Sequence, residues 1–179
     1  MITLVLGGAR SGKSTWAENY AMSLASRPEE RCYLAAGVAC DHEMRERIQK
    51  HREKREGRFY TLEEPYNLGQ ALLSIPPSTK VVVIDCLTTW LGNLTYKAGC
   101  KNNSDDVLGQ FSEVREFLQV LKQLPFHVVI VSNELGLGIV PAEPSVRLFR
   151  DQHGRLNQLT AQLADQVYFT AAGLPLKLK

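Results

Sequence analysis

No apolar run in this sequence approaches the 18 or so residues that a membrane-spanning helix requires, so a spanning segment is not expected. The four cysteines, Cys32, Cys40, Cys86 and Cys100, form no C-x-x-C pair, which argues against a zinc ribbon or a dithiol redox centre. The four histidines likewise show no metal-ligand spacing. A net charge of +2 is too small for a nucleic-acid or membrane-surface protein, so neither partner is expected. There is no internal repeat, low-complexity stretch or composition shift to mark a second domain, and no charged leader with a long apolar centre. These absences leave a cytoplasmic α/β protein with reduced thiols, organised as one domain over residues 1–179.

What the chain does carry begins at its first strand. The apolar run Ile2–Leu6 leads into Gly7-Gly8-Ala9-Arg10-Ser11-Gly12-Lys13-Ser14, followed by helical spacing over Ser14–Ala25. This is G-x-x-x-x-G-K-[ST] in the strand–loop–helix context it needs. Glycines let successive backbone N–H groups face phosphate oxygens, and the helix brings its positive end to them. Lys13 is then expected at the β/γ-phosphates and the Ser14 hydroxyl on Mg²⁺.

A short strand Cys32–Ala36, closed by Gly37, completes a βαβ unit and with it a parallel sheet. Residues 41–58 hold five acidic and seven basic side chains and only a thin apolar stripe, so they are expected as an exposed helix. Arg47, His51 and Arg55 stand at i, i+4 and i+8 in it. Lys80–Asp85 is a β-branched run tipped by a carboxylate, the second mark of a phosphate-handling sheet. Val107–Leu124 has the spacing of one long amphipathic helix, and His127–Ser132 that of another buried strand. The loop from Asn133 and Glu134 lies where open α/β sheets place ligands, outside the carboxyl ends of strands. A helix over Pro144–Leu163 and two short strands, Asp165–Ala171 and Leu174–Leu178, close the chain. The expected fold is a P-loop NTPase of RecA-like type, with a mostly parallel sheet flanked by helices and a C-terminal antiparallel hairpin.

A P-loop alone does not choose among kinases, switches and motors. The set Gly7–Ser14, Arg47-Ile48-x-x-His51-Arg52-x-x-Arg55, Glu63-Glu64-Pro65, Asp85-Cys86-Leu87-Thr88, Ser132-Asn133-Glu134-Leu135-Gly136, Gly138–Pro141, Phe149-Arg150-Asp151 and Asn157-Gln158 resembles one family over Ile2–Lys179. That family is the bifunctional adenosylcobinamide kinase / adenosylcobinamide-phosphate guanylyltransferase of cobalamin biosynthesis. Phe59 stands where many relatives carry tryptophan, so an aromatic is kept.

The resemblance implies phosphorylation of adenosylcobinamide by ATP or GTP. Transfer of GMP from a second GTP through a histidine, His51 by its place in the motif, would then give adenosylcobinamide-GDP and pyrophosphate. It further implies nucleotide contacts at Gly8, Ala9, Arg10, Ser11, Gly12, Lys13, Ser14, Thr15, Ala35, Ala36, Gly37, Arg52, Glu53, Lys54, Arg55, Glu63 and Asp85. Mg²⁺ would sit on Ser14 and Asp85, Glu63 would read the base, and Arg47, Asn133 and Glu134 are substrate candidates. A homotrimer is implied as well; because one domain of this size offers little concavity for a corrinoid, the acceptor is expected in a cleft between subunits beside the 41–58 helix. A neutral imidazole at His51 flanked by arginines has the makings of a nucleophile at phosphorus. His42, His127 and His153 read as bland, and Arg147, Arg150 and Arg155 as a solvated helix face. The alternatives are a plain small-molecule P-loop kinase and a GTP-binding switch or motor.

Overall fold

A computed structural model of the chain describes residues 1–38, 42, 46, 49, 52, 53, 55–99 and 104–179. The strands are β1 (Ile2–Gly7), β2 (Arg31–Ala35), β3 (Tyr60–Glu63), β4 (Val81–Asp85), β5 (His127–Asn133), β6 (Gln166–Ala171) and β7 (Leu174–Lys177). They form one seven-stranded sheet in the order β3-β2-β4-β5-β1-β6-β7. Every neighbouring pair is parallel except β6 with β7. This is the RecA-like α/β arrangement expected, with β5 standing between the P-loop strand and the Asp85 strand.

Because strand side chains alternate, each buried strand feeds two cores. Val5, Val81, Val83, Val129 and Val131 face α1 (Lys13–Leu24), whose small Ala17 and Ala21 allow close packing on the sheet. Leu4, Leu34, Val82, Ile84, Val128 and Ile130 face the larger core on the other side. There they meet α2 (Leu68–Leu73), α3 (Leu87–Ala98), α4 (Val107–Gln110), α5 (Ser112–Leu121) and α6 (Pro144–Leu163). Trp90 is fully buried there, its ring 5.0 Å from that of Phe117 and its indole N–H donated to the Tyr66 carbonyl.

One expectation is corrected. The single helix over Val107–Leu124 is two, α4 and α5, because Phe111 adopts extended backbone (φ −126°, ψ 107°) as the C-cap of one and N-cap of the next. Phe111 stays buried through the break, so the apolar stripe continues although the helix does not. Strand β3 is an element beyond those expected; it pairs with β2 along the sheet edge and places Glu63 opposite Ala35. Elsewhere the boundaries agree to a residue or two, and α6 agrees at both ends. No helix among the described residues is long and apolar enough to cross a membrane.

Candidate functional site

The strand registers bring the described candidates to one edge of the sheet. Gly7 lies opposite Asn133, Asp85 opposite Val131 and Ala35, and Ala35 opposite Glu63, all at the carboxyl ends of parallel strands. At one end of this line is the loop from Gly8 to Gly12. Gly12 has φ +93° and serves as N-cap of α1 without any side-chain cap, leaving the first helical N–H groups facing the loop. The Lys13 ammonium folds back across the loop and donates to the Gly8 carbonyl at 2.9 Å. Ser14 is half-buried, while Ala9, Arg10 and Thr15 are exposed.

The loop is bolted to the C-terminal hairpin, which the sequence reading did not anticipate. Ser11 Oγ lies 2.8 Å from Thr170 Oγ1, and the Gly173 N–H donates to the Ser11 carbonyl at 2.9 Å. A side chain at Gly7 would put its Cβ 2.5 Å from both hydroxyl oxygens. The β6–β7 hairpin is therefore a clamp on the phosphate loop as well as the edge of the sheet.

Asp85 closes β4 and accepts a hydrogen bond of 2.5 Å at Oδ2 from the Tyr33 phenol. Burial, with the Asp85 charge second, holds the Tyr33 pKa well above the usual tyrosine range, so the phenol remains a donor. The other face of that ring carries the Arg55 guanidinium at 3.7 Å, a cation–π contact in a position only 5% exposed. Arg55 thus sits against Tyr33 beside the α1-side core, while Arg31 lies over the neighbouring Phe59 ring at 5.6 Å. Arg52 and Glu63, both about half exposed, form an ion pair. With Glu53, Phe59 and Thr61 they line a hollow of about 640 Å³. His51, Arg47, Lys54 and the expected start of their helix at Asp41 lie outside the described residues.

Ala35 and Ala36 are pinned between these parts: the Ala36 N–H donates to the Asp85 carbonyl, and Asn93 donates to the Ala36 carbonyl. Gly37 follows, half-buried. Beside the phosphate loop, the Glu134 N–H donates to the Gly7 carbonyl at 3.0 Å, while its carboxylate accepts from Gly136.

His153 is not the bland residue expected. It is wholly buried, with Nε2 at 2.9 Å from Thr88 Oγ1 and 3.1 Å from Ser132 Oγ, and burial lowers its pKa to about 4. Ser132 donates to Asn157 Oδ1, and Asn157 donates to the Asn133 carbonyl. Thr88 accepts from the Asn133 N–H. With the Ser132 proton given to Asn157, its contact with Nε2 requires the ring to donate there, which leaves Nδ1 as a buried acceptor without a partner. This network ties α3, β5 and α6 together behind Asn133. His127 keeps the bland reading: it is buried against Thr3 Oγ1, its pKa lowered to about 4 mainly by burial. Arg147 donates to the Pro141 and Ala142 carbonyls, holding the loop after Glu134 to α6.

Residues 3–178 match the family model described as cobinamide kinase / cobinamide phosphate guanyltransferase. The chain is 41% identical over its full length to the bifunctional adenosylcobalamin biosynthesis protein CobP of Pseudomonas aeruginosa, covering 98% of that protein. It is 34% identical to the bifunctional adenosylcobalamin biosynthesis protein CobU of Escherichia coli, with both chains covered throughout. Among solved structures it resembles the flagellar accessory protein FlaH from Methanocaldococcus jannaschii, with a TM-score of 0.54 at 13% identity over 99% of this chain and 77% of that one. That likeness speaks to the fold, whereas the two relatives and the family model speak to kinship. With the phosphate loop, the aspartate-tipped strand and full-length similarity in agreement, the chain belongs to the cobinamide kinase / cobinamide phosphate guanyltransferase family.

Proposed function

We propose that the protein is a bifunctional enzyme of adenosylcobalamin biosynthesis. It first moves the γ-phosphoryl group of ATP or GTP onto the hydroxyl of the aminopropanol arm of adenosylcobinamide, releasing the nucleoside diphosphate. It then moves GMP from GTP onto that phosphate: His51 displaces pyrophosphate at the α-phosphorus, and the cobinamide phosphate oxygen displaces His51 from the resulting histidyl-GMP. The observation that carries this reading is the alignment of the Lys13 loop and Asp85 at one sheet edge, in a chain similar throughout to bifunctional relatives.

In the first step the loop amides and Lys13 would hold the β/γ-phosphates, so that positioning and charge compensation supply most of the acceleration. Ser14 and Asp85 are hard oxygen donors that suit Mg²⁺, and no cluster of three His, Cys, Asp or Glu side chains that could cage a metal occurs among the described residues. Ser14 and Asp85 would hold the ion, which would supply charge neutralisation at the phosphates. Incubation with adenosylcobinamide and each nucleotide in turn, with mass detection of products, tests the proposal. The phosphate should form with ATP or GTP and the GDP derivative with GTP alone. Formation of the phosphate without the GDP form under any condition would reduce the protein to a kinase.

Tyr33 gives a narrower prediction. Tyr33→Phe keeps the ring under Arg55 but removes the donor to Asp85, a bond to a charged group worth about 1.5–3 kcal/mol. The kinase rate at limiting Mg²⁺ should fall about tenfold, and excess Mg²⁺ should restore most of it. A loss indifferent to Mg²⁺ concentration would mean that the phenol does not orient the metal carboxylate.

A further inference from the structure

Three pieces of the motif set, Glu134–Gly136, Arg150-Asp151 and Asn157-Gln158, take no part in the phosphate-loop and His51 chemistry. The fold brings them together as the walls of one groove of about 860 Å³, between α6 and the turn that follows β5. Glu134, Arg150, Asp151, Gly154, Arg155 and Gln158 line it. It adjoins the phosphate loop, since the Glu134 N–H is bonded to the Gly7 carbonyl and Asn133 lies opposite Gly7 in the sheet.

The lining selects the ligand's chemistry. Asp105, Asp106, Glu134 and Asp151 set four carboxylates against the guanidiniums of Arg150 and Arg155, and Arg150 is itself engaged by Asp151. Such a balance disfavours a nucleotide or another polyanion. Carboxylates that accept, guanidiniums that donate and a glutamine that does both suit a ligand rich in primary amides. The next residues along the chain are apolar and open to solvent: Leu137 is 80%, Ile139 97% and Val140 63% exposed. Arg147 fixes the far end of that loop to α6, so the apolar surface is held beside the groove.

We infer that this groove is the acceptor site, taking the amide-bearing edge and the aminopropanol arm of the corrinoid while Leu137, Ile139 and Val140 cover part of its apolar plane. Before phosphorylation cobinamide offers amides and no anionic group, which is the chemistry the lining accepts. The inference rests on the proposed function. It places the acceptor in a groove built by residues of a single chain.

Equilibrium dialysis with cobinamide tests it on the full-length protein. Arg155 and Gln158 are exposed, so Arg155→Glu and Gln158→Ala should fold normally, and each should weaken cobinamide binding about tenfold. Gly154 lines the groove, has open space where a Cβ would go and has an ordinary helical backbone, so Gly154→Leu adds bulk at the groove wall with no clash at Cβ. That variant should weaken cobinamide binding still more and raise the KM for the acceptor, with GTP affinity and guanylylation of the protein unchanged. Wild-type cobinamide affinity in all three variants overturns the groove while leaving the function intact. A wild-type protein that neither binds nor phosphorylates cobinamide overturns both.

Discussion

His51→Ala should take up no label from GTP carrying radioactive phosphorus at the α-position, while it still phosphorylates adenosylcobinamide at close to the wild-type rate. A guanylyl group on an imidazole nitrogen is a phosphoramidate, so the wild-type label should be lost in acid and survive in alkali. Loss of the nucleophile should lower formation of the GDP derivative by at least about 10⁴-fold, as expected when a covalent route is removed and only binding and charge stabilisation remain. The kinase step as proposed uses no atom of His51, which would make the two activities separable in one variant. Arg55 bears on this result through the sequence, four residues after His51, and through its burial against Tyr33. A buried guanidinium committed to that ring is less available as a phosphate ligand, so Arg52, half exposed although paired with Glu63, is the more accessible cation for the α-phosphate. Label surviving in His51→Ala, or appearing on another residue, would remove the histidine from the pathway.

The parts of this site that were legible in the sequence are those written locally. Gly7–Ser14 carries its own strand, loop and helix signals, and Lys80–Asp85 ends a buried run on a carboxylate that no core requires. The break at Phe111 was illegible because that residue keeps the apolar spacing while changing its backbone, and periodicity reports only the former. Strand β3 was missed because its four residues alternate half-buried and exposed at a sheet edge, a weak pattern at that length. The hairpin clamp joins Ser11 to Thr170 across 159 residues, a distance over which no spacing rule reads. His153 is a different case. Gln152, His153, Leu156, Asn157 and Thr160 form one buried helical face at i, i+1, i+4, i+5 and i+8, and the spacing was visible. Its polar composition hid it, since a face of amides, a hydroxyl and an imidazole reads as solvated until its partners on β5 and α3 are known.

Lys13→Ala should cost both reactions, unlike His51→Ala, and this asymmetry bears on whether one triphosphate site serves the two steps. The ammonium now rests on the Gly8 carbonyl, a neutral acceptor, at 2.9 Å and in a largely buried position. Exchanging that partner for the β/γ-phosphates gives a charge-assisted bond, strongest where negative charge accumulates as the phosphoryl group leaves. The kinase kcat should therefore fall about 10³-fold, with a smaller rise in the KM for nucleotide. In the guanylyl step the same β/γ-phosphates depart as pyrophosphate, so the lysine that stabilised a transferring group would stabilise a leaving one. Labelling of His51 should then slow by a comparable factor. Lys13→Arg should not restore either rate, because a planar fork replaces a point charge in a loop clamped between α1 and the β6–β7 hairpin. Single-turnover labelling measured beside kinase turnover decides the matter: loss of the kinase with wild-type labelling of His51 would require a second nucleotide site, away from the Gly8–Ser14 loop.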